Sequence, residues 1–460
     1  MIAINIISCI KSNLRCLGKK KAIGTEDFEL TYEQLFSYVN ISASKFHAYG
    51  YSEDIPIILK CERQIDFILI FLSLLVGGYQ VIPIPYDMNE NELLKIANMT
   101  NAVTFDNDKM VEIDTISYKN ENSKVTYYKE KGIYHITSGT TGEAKICIRT
   151  SEALINEGLD YQNTFGITSS DNIMSLCPVY HSFALGAALM AALVSGAYYY
   201  AVDFKYPRKA LQEISKEKIT YITCVPYLAN LICRISVDDE MKFYLRKVVV
   251  GAGKVTKDLN NNFKSKFGIE LSGNYGSTET GGTISRNSGE PLESIGKPMK
   301  SVSIKICDDF GNEVEPNSLG ELLVKTNSML KGYFACKTVF DKDGYFNTGD
   351  IAKMDDAGNI YIEGRKKNFI KIGGKTVNLQ EIDGILRSNE NIKDCYLSTQ
   401  KLSNGEIRIV AYIANTNPMS ESDVRNYCKK FMSDFKIPAK IVFVEDIPRD
   451  KMGKIKKVLL

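Results

Sequence analysis

The feature that most constrains this chain is a repeated alternation of short apolar or β-branched runs with helical stretches. Pro56 to Leu59 reads as a strand, Ile65 to Val76 as an apolar helix ending at Gly77-Gly78, and Val81-Ile82-Pro83-Ile84 as the next strand. Thr31 to His47 has helical spacing of apolar residues ahead of them. The pattern returns later. Asn172–Ser175 reads as a strand, Ala184–Val194 as a helix, Tyr198–Val202 as a strand and Leu211–Lys216 as a helix. Tyr221–Val225 is then a strand ended by Pro226, and Lys247–Val250 one that stops at Gly251-Ala252-Gly253. Strands joined through helices pair in parallel, because a helical crossover returns the chain to the same end of the sheet. The chain is therefore expected to be α/β. The most apolar run, Ile65 to Gly78, is too short to span a bilayer and reads as a buried helix.

After about Pro298 the texture changes. Short β-rich segments (Ser303–Cys307, Gly320–Lys325, Ile360–Glu363) are separated by Asp/Asn/Gly turns. The end of the chain alternates again: Leu379–Arg387 and Ser420–Met432 read as helices, and Ile392–Ser398, Ile407–Ile413 and Ile441–Val444 as strands. With 460 residues, one core does not suffice. The expected layout is a large N-terminal domain, residues 1–364, of layered α/β subdomains with a β-rich subdomain. A small α+β domain, residues 365–460, follows it. Charge follows the same division. From Gly364 to Leu460 there are 19 Lys and Arg against 11 Asp and Glu, while the rest of the chain holds 38 against 44. A basic lobe of this kind is either a solvated surface or one that meets phosphates or an acidic partner.

The net charge of +2 gives no reason to expect nucleic-acid binding. The 11 cysteines are scattered without a C-x-x-C pair, as in a reducing cytoplasmic setting. The N-terminal MIAINIISCIKSN lacks the basic start and small-residue cleavage site of a signal peptide. The three histidines, His47, His135 and His181, form no cluster with metal-ligand spacing.

Five motifs carry chemistry. Thr137-Ser138-Gly139-Thr140-Thr141-Gly142, followed by Lys145, joins small residues, hydroxyls and a cation, the requirements of a polyphosphate loop. It is not G-x-x-x-x-G-K-[ST], and such a run is equally compatible with an ordinary flexible loop. Tyr275-Gly276-Ser277-Thr278-Glu279 offers an aromatic to stack on a base and a carboxylate to hold Mg²⁺. A turn capped by Ser/Thr is its plainer reading. Thr348-Gly349-Asp350 presents a carboxylate suited to ribose hydroxyls, or is a strand-terminating turn. Gly364-Arg365-Lys366-Lys367 with Gly373-Gly374, and Met452-Gly453-Lys454 near the C-terminus, complete the set.

In this order, with Gly251-Ala252-Gly253, Gly296-Lys297-Pro298, Gly320-Glu321-Leu322 and Gly332-Tyr333, they resemble the adenylate-forming (ANL) superfamily over nearly the whole chain. That superfamily comprises acyl- and aryl-CoA synthetases, peptide-synthetase adenylation domains and beetle luciferases. The resemblance implies ATP, Mg²⁺ and a thiol, either CoA or carrier-protein phosphopantetheine. It implies that Thr137 to Gly142 and Lys145 hold the β- and γ-phosphates. Gly251, Ala252, Gly253 and Tyr275 would form the adenine pocket, and Thr278 would contact the α-phosphate. Glu279 would bind Mg²⁺, Asp350 the ribose hydroxyls, and Arg365 the ribose or a phosphate beside it. Lys454 would bridge the substrate carboxylate and the α-phosphate. Lys367 would be the hinge about which the mobile C-terminal domain rotates, bringing Gly373-Gly374 to the thiol channel. The chain departs from the family at Ala144, where Pro is usual, and at Lys367, where Asp is common. It is also somewhat short, with the loss near the N-terminus.

The acid pocket is expected to be lined by Tyr180, His181, Ser182, Val250, Ser277, Gly281 and Gly282, with His181 bordering both pocket and thiol channel. Amino-acid-activating relatives place an Asp in the Cys177–Phe183 segment, and none stands here. A buried ammonium without a partner is costly, so the expected substrate is an aryl or fatty acid, activated and passed to CoA or to an acyl or peptidyl carrier protein. An amino-acid adenylation enzyme serving a peptide synthetase is the alternative. A catalytically inactive binding relative is a further one, opposed by the intact set Lys145, Glu279, Asp350, Arg365 and Lys454.

Overall fold

The structure is a computed structural model that describes residues 5–105, 131–137, 145–202, 206–236, 241–334, 340–372, 375–402 and 407–448. Among the described residues a nine-stranded sheet is the largest. Its middle is parallel: Ser272–Ser277, Lys247–Val250, Tyr221–Cys224, Asn172–Ser175, Tyr198–Tyr200 and Lys21–Gly24 lie side by side. Antiparallel strands close both edges, Gly281–Arg286 with Lys297–Pro298 at one and Glu29–Thr31 at the other. A six-stranded sheet holds Val103–Thr104, Ile57–Leu59, Gln80–Pro83 and Gly132–Thr137 in parallel, then Lys145–Thr150 and Gly332–Tyr333 antiparallel.

The apolar run predicted as a buried helix is one, Gln64–Val76, with every residue from Phe67 to Val76 buried. It packs on Tyr32–Ala48, whose N-terminus is closed by a capping box between Thr31 and Gln34. The main core is continuous across both sheets and into the antiparallel sheet of Ser303–Cys307, Gly320–Lys325, Phe346–Met354 and Ile360–Arg365. Among the described residues no helix is long and apolar enough to cross a membrane.

The segment read as one helix over Ala184–Val194 is instead Ser182–Ala184, a π-helical turn Leu185–Met190, and Ala191–Ser195. Helix Ser151–Phe165 lies against it so closely that a Cβ at Gly158 would come within 2.7 Å of the Met190 carbonyl carbon. Thr348-Gly349-Asp350 does not end a strand. It sits inside Phe346–Met354 as a bulge, where Asn347 to Ile351 face only Leu323 to Glu321, and Gly349 takes φ +72°. Bulges re-aim side chains, here that of Asp350.

The C-terminal segment has its own core. Val377, Ile382, Leu386, Ile413, Val424 and Ile441 are buried among themselves, with no residue from before Ile370 in the cluster. Leu386→Ala is expected to cost this body about 2–5 kcal/mol. Calorimetry should show one transition moving down while the transition of the larger body stays. A single transition that shifts as a whole would mean that the two do not fold separately.

Candidate active site

On the nucleotide side, strand Gly132–Thr137 turns back as Lys145–Thr150, which pairs Thr137 with Lys145. The Thr137 hydroxyl donates to the Lys145 carbonyl at 3.3 Å. Ser138, Gly139, Thr140, Thr141 and Gly142 lie outside the described residues, as do Gly373-Gly374 and Lys454. Lys145 Nζ stands 5.1 Å from the ring centre of Tyr333. Tyr333 is carried by the short strand paired to the same hairpin, and its hydroxyl donates to Glu279 Oε1 at 2.8 Å. Tyr333 thus links two predicted site residues far apart in sequence. The sequence marked it only as part of a Gly-Tyr pair.

On the ribose side, Tyr275 Oη donates to Asp350 Oδ2 at 2.5 Å, and Arg365 Nε meets Asp350 Oδ1 at 3.0 Å. Asp350 and Arg365 are register partners on adjacent antiparallel strands, and Arg365 Nη1 also donates to the Thr348 carbonyl. Asp350 is only 4% exposed. Burial raises its pKa, and Tyr275 and Arg365 oppose that rise. Burial and the Asp350 charge push the Tyr275 phenol up as well. Lys367 sits in an exposed single turn, Lys366–Asn368, between strand Ile360–Arg365 and hairpin Phe369–Asn378.

Gly251-Ala252-Gly253 follows Lys247–Val250 at its carboxyl end, where open α/β sheets bind ligands. Ala252 adopts φ +58°, and a Cβ on Gly251 would stand 2.8 Å from the Phe183 ring.

A cavity of about 440 Å³ opens beside these groups and is lined by His181, Ser182, Ser277, Thr278, Gly281 and Gly282 among others. On its wall the Thr278 and Ser182 hydroxyls lie within hydrogen-bond distance of each other, at 3.5 Å. The Ser277–Gly281 connection is also the capped turn the sequence allowed, since the Ser277 and Thr280 backbone N–H groups donate to each other's hydroxyls. Two residues expected on the cavity wall are elsewhere. Tyr180 lines a separate cavity of about 590 Å³, and Val250 is fully buried in the second core. Tyr180 still packs its ring on His181, with centroids 4.7 Å apart. The His181 ring is exposed to the cavity yet crowded by its wall, and the lost hydration lowers its pKa.

The sequence reading sought an acid only near Cys177–Phe183. Helix Ser151–Phe165 instead brings Glu157 to the cavity wall. Glu157 Oε2 accepts from Arg149 Nη2 at 2.6 Å, both side chains being wholly buried, and Oε1 accepts from the Gly282 N–H at 3.0 Å. Nothing in the local sequence marks this pair, beyond an Arg placed eight residues before a Glu at a strand–helix junction.

Beneath the same wall lies His135, 4% exposed, and among the described residues neither ring nitrogen has a partner at good hydrogen-bond geometry. Its pKa is lowered to about 3, chiefly by burial, with Arg149 and His181 adding to this and the Tyr180 backbone opposing it. Below the ordinary value of 6.5 the unfolded chain takes a proton that the folded chain refuses, so stability falls as pH drops toward about 3. At about pH 5 the loss is roughly 2 kcal/mol. Urea unfolding of wild type and His135→Phe at neutral pH and at about pH 5 measures it. The variant should lose less by about that amount, and equal losses would clear His135 as the source.

The sequence profile of the family described as AMP-binding enzyme matches residues 132–334, from strand Gly132–Thr137 to the residue after Tyr333. The chain is 24% identical to the 2-succinylbenzoate–CoA ligase of Staphylococcus epidermidis, over 96% of this chain and 94% of that protein. It is 29% identical to 4-coumarate–CoA ligase 3 of Oryza sativa subsp. japonica, over 69% of this chain and 61% of that protein. Among solved structures, ATP-bound MatB from Rhodopseudomonas palustris superposes with TM-score 0.82 at 21% identity, covering 99% of this chain and 97% of that one. The AMP complex of O-succinylbenzoate coenzyme A synthetase (MenE) from Bacillus subtilis gives 0.80 at 22%, covering 98% and 97%. The motif order, the fold and these matches agree: the chain is similar to AMP-binding enzymes over residues 132–334 and shares the fold of MatB and MenE over nearly its whole length.

Proposed function

We propose that this protein is an AMP-forming acid–CoA ligase, which adenylates an aryl or fatty carboxylic acid and passes the acyl group to the thiol of CoA. The observation that carries the reading lies on strand Ser272–Ser277 and the turn after it. Asn274, Gly276, Ser277 and Thr278 line the apolar cavity. Tyr275 and Glu279, interleaved with them, reach Asp350 and Tyr333. Asn274 and Gly276 alternate with Tyr275 along the strand, and the bulge after Tyr275 with the following turn brings Ser277 and Thr278 to the cavity as well. One strand therefore serves a nucleotide on one side and an acid on the other, with Thr278 where they meet.

In the first half-reaction a carboxylate oxygen attacks the α-phosphorus of ATP, the bond to the leaving phosphate breaks, and pyrophosphate departs. Asp350 and Tyr275 hold the ribose and base, Thr278 the α-phosphate, and Lys145 the departing pyrophosphate. Glu279 has one oxygen bonded to Tyr333 and makes no other side-chain hydrogen bond among the described residues. One carboxylate beside substrate phosphates is how Mg²⁺ is commonly held, so the residue fits that ion. When bound, Mg²⁺ offsets the negative charge of the phosphates. In the second half-reaction the CoA sulfur attacks the acyl carbon and AMP leaves. His181, kept neutral by its lowered pKa, stands on the cavity wall where the thiol arrives. The basic segment from Gly364 onward, proposed to turn about Lys367, brings charge that suits the phosphates of ATP and CoA.

Amino acids are disfavoured for a reason different from the one the local sequence offered. An acid does line the cavity, but Arg149 already neutralises it, so an ammonium would add an uncompensated buried charge. Acid-dependent ATP–pyrophosphate exchange over a panel of aryl, fatty and amino acids, followed by CoA thioester analysis, tests the reading. Exchange with aryl or fatty acids and thioester formation is expected. Exchange with amino acids alone, or adenylation without thioester formation, would overturn it.

A further inference from the structure

We infer that the acid this enzyme activates carries a neutral hydrogen-bond donor, a hydroxyl or an amino group on a ring or chain, at the end remote from its carboxylate. Glu157, clamped by Arg149, is the specificity-determining acceptor, with Tyr161 and Asn274 beside it. The inference rests on the ligase reading above and concerns the same cavity.

Most of the cavity wall is apolar, with Pro178, Phe183, Val225 and Leu228 contributing. Against it stands one polar cluster. Glu157 and Tyr161 are one turn apart on helix Ser151–Phe165, and Asn274 comes from strand Ser272–Ser277. All three line the cavity. The cluster is incomplete within the protein. Among the described residues, the Tyr161 hydroxyl and Asn274 Oδ1 on the wall, and Arg149 Nη1 behind it, are buried and lack a hydrogen-bond partner. Tyr161 is wholly buried with the Asn274 side chain beside it. Buried polar groups are nearly always paired, so several orphans around one ion pair mark a place where a ligand supplies the partner.

The backbone around the cluster has been cut back to make room for it. A Cβ on Gly186 would stand 2.1 Å from Glu157 Cδ, one on Gly281 2.7 Å from the same atom, and one on Gly282 2.2 Å from Tyr161 Oη. Gly281 also needs its left-handed φ of +70°.

The chemistry of the cluster selects the ligand group. Both Glu157 oxygens act as acceptors, from Arg149 and from the Gly282 N–H, so a ligand group beside them must donate. Arg149 already balances its charge, so a cationic group would be left in excess. A second carboxylate on the substrate would be repelled by Glu157. A hydroxyl suits the groups on the cavity wall: it donates to Glu157 and accepts from Tyr161, while the Asn274 amide can turn either edge toward it.

The test uses the full chain in ATP–pyrophosphate exchange with matched pairs: benzoate against 3- and 4-hydroxybenzoate, hexanoate against 6-hydroxyhexanoate, and isophthalate as the dicarboxylate. In the pair that fits, the hydroxylated acid should exceed its parent in kcat/KM by about 10- to 100-fold. Tyr161→Phe should shrink that ratio by about tenfold, mainly through KM. Because Glu157→Gln alone strands Arg149, the double variant Arg149→Met with Glu157→Gln is measured as well, with its melting temperature. It should bring the ratio close to unity. Equal turnover of both members of every pair, a ratio unmoved by Tyr161→Phe, or a preference for isophthalate would overturn the inference while leaving the ligase reading intact. Absence of exchange with every acid would remove both.

Discussion

Lys454→Ala is expected to lower acid-dependent pyrophosphate exchange by about 10²–10³-fold, the effect of removing one preorganised donor from a transition state that gains charge. The oxygens around the α-phosphorus become more negative as the carboxylate attacks, and a lysine bridging both groups offsets that charge only while bonds are changing. Binding of ATP should be nearly unchanged, since Lys145 and the Tyr275–Asp350–Arg365 group act on other parts of the nucleotide. The second half-reaction, started from a supplied acyl-adenylate, should also persist. Equilibrium ATP binding and exchange rate, measured on the same preparation, decide the matter. Unchanged exchange would remove Lys454 from the chemistry. A parallel loss of ATP binding would make it a ground-state contact.

Asp350→Asn should separate recognition from stability. As a carboxylate, Asp350 can accept from two ribose hydroxyls as well as from Tyr275 and Arg365. An amide cannot accept at both ends. Hydrogen bonds to a charged group contribute about 1.5–3 kcal/mol, so KM for ATP should rise roughly 10- to 100-fold. Folding should behave differently. The pKa of Asp350 is raised by burial, so the folded state holds the protonated form better than the unfolded state does. That contribution is present at low pH and lost as pH rises through the folded pKa, which makes the neutral-pH carboxylate a net cost to folding. The neutral amide relieves it, and the half-exposed Arg365 left behind can be solvated. The melting temperature at neutral pH should therefore hold or rise while KM climbs. A fall in both would show Asp350 to be chiefly a structural anchor.

Much of the molecule was legible in its residues because local pattern and global fold agree. From Phe67 onward the helix Gln64–Val76 is apolar on nearly every face, a pattern that suits burial. Strands such as Lys247–Val250 read as continuous β-branched runs because both faces are covered. Where reading failed, the determining contacts were distant in sequence. The π-helical turn Leu185–Met190 looks like ordinary helix locally. The neighbour that packs on it is helix Ser151–Phe165, through Gly158 and Gly186. The Thr348-Gly349-Asp350 segment looks like a strand end, yet pairing with Gly320–Lys325 on one side and Ile360–Arg365 on the other makes it a bulge within a strand.

The site divides in the same way. Phosphate, ribose and metal groups sit in contiguous motifs, because a bound nucleotide requires particular residue types at short spacing around glycines. From the sequence alone came the resemblance to the family and the residues proposed for the nucleotide side of the site, Lys145, Glu279, Asp350, Arg365 and Lys454. The acid side has no such motif. Its polar end is assembled from Arg149 on a strand, Glu157 and Tyr161 on the following helix, and Asn274 more than a hundred residues on. Whether the cavity holds an acid, and whether that acid is already neutralised, depends on distances of 2.6 and 3.0 Å between side chain and distant partner. Charge compensation in a dry pocket is a property of three-dimensional proximity, and only the tertiary structure decided it.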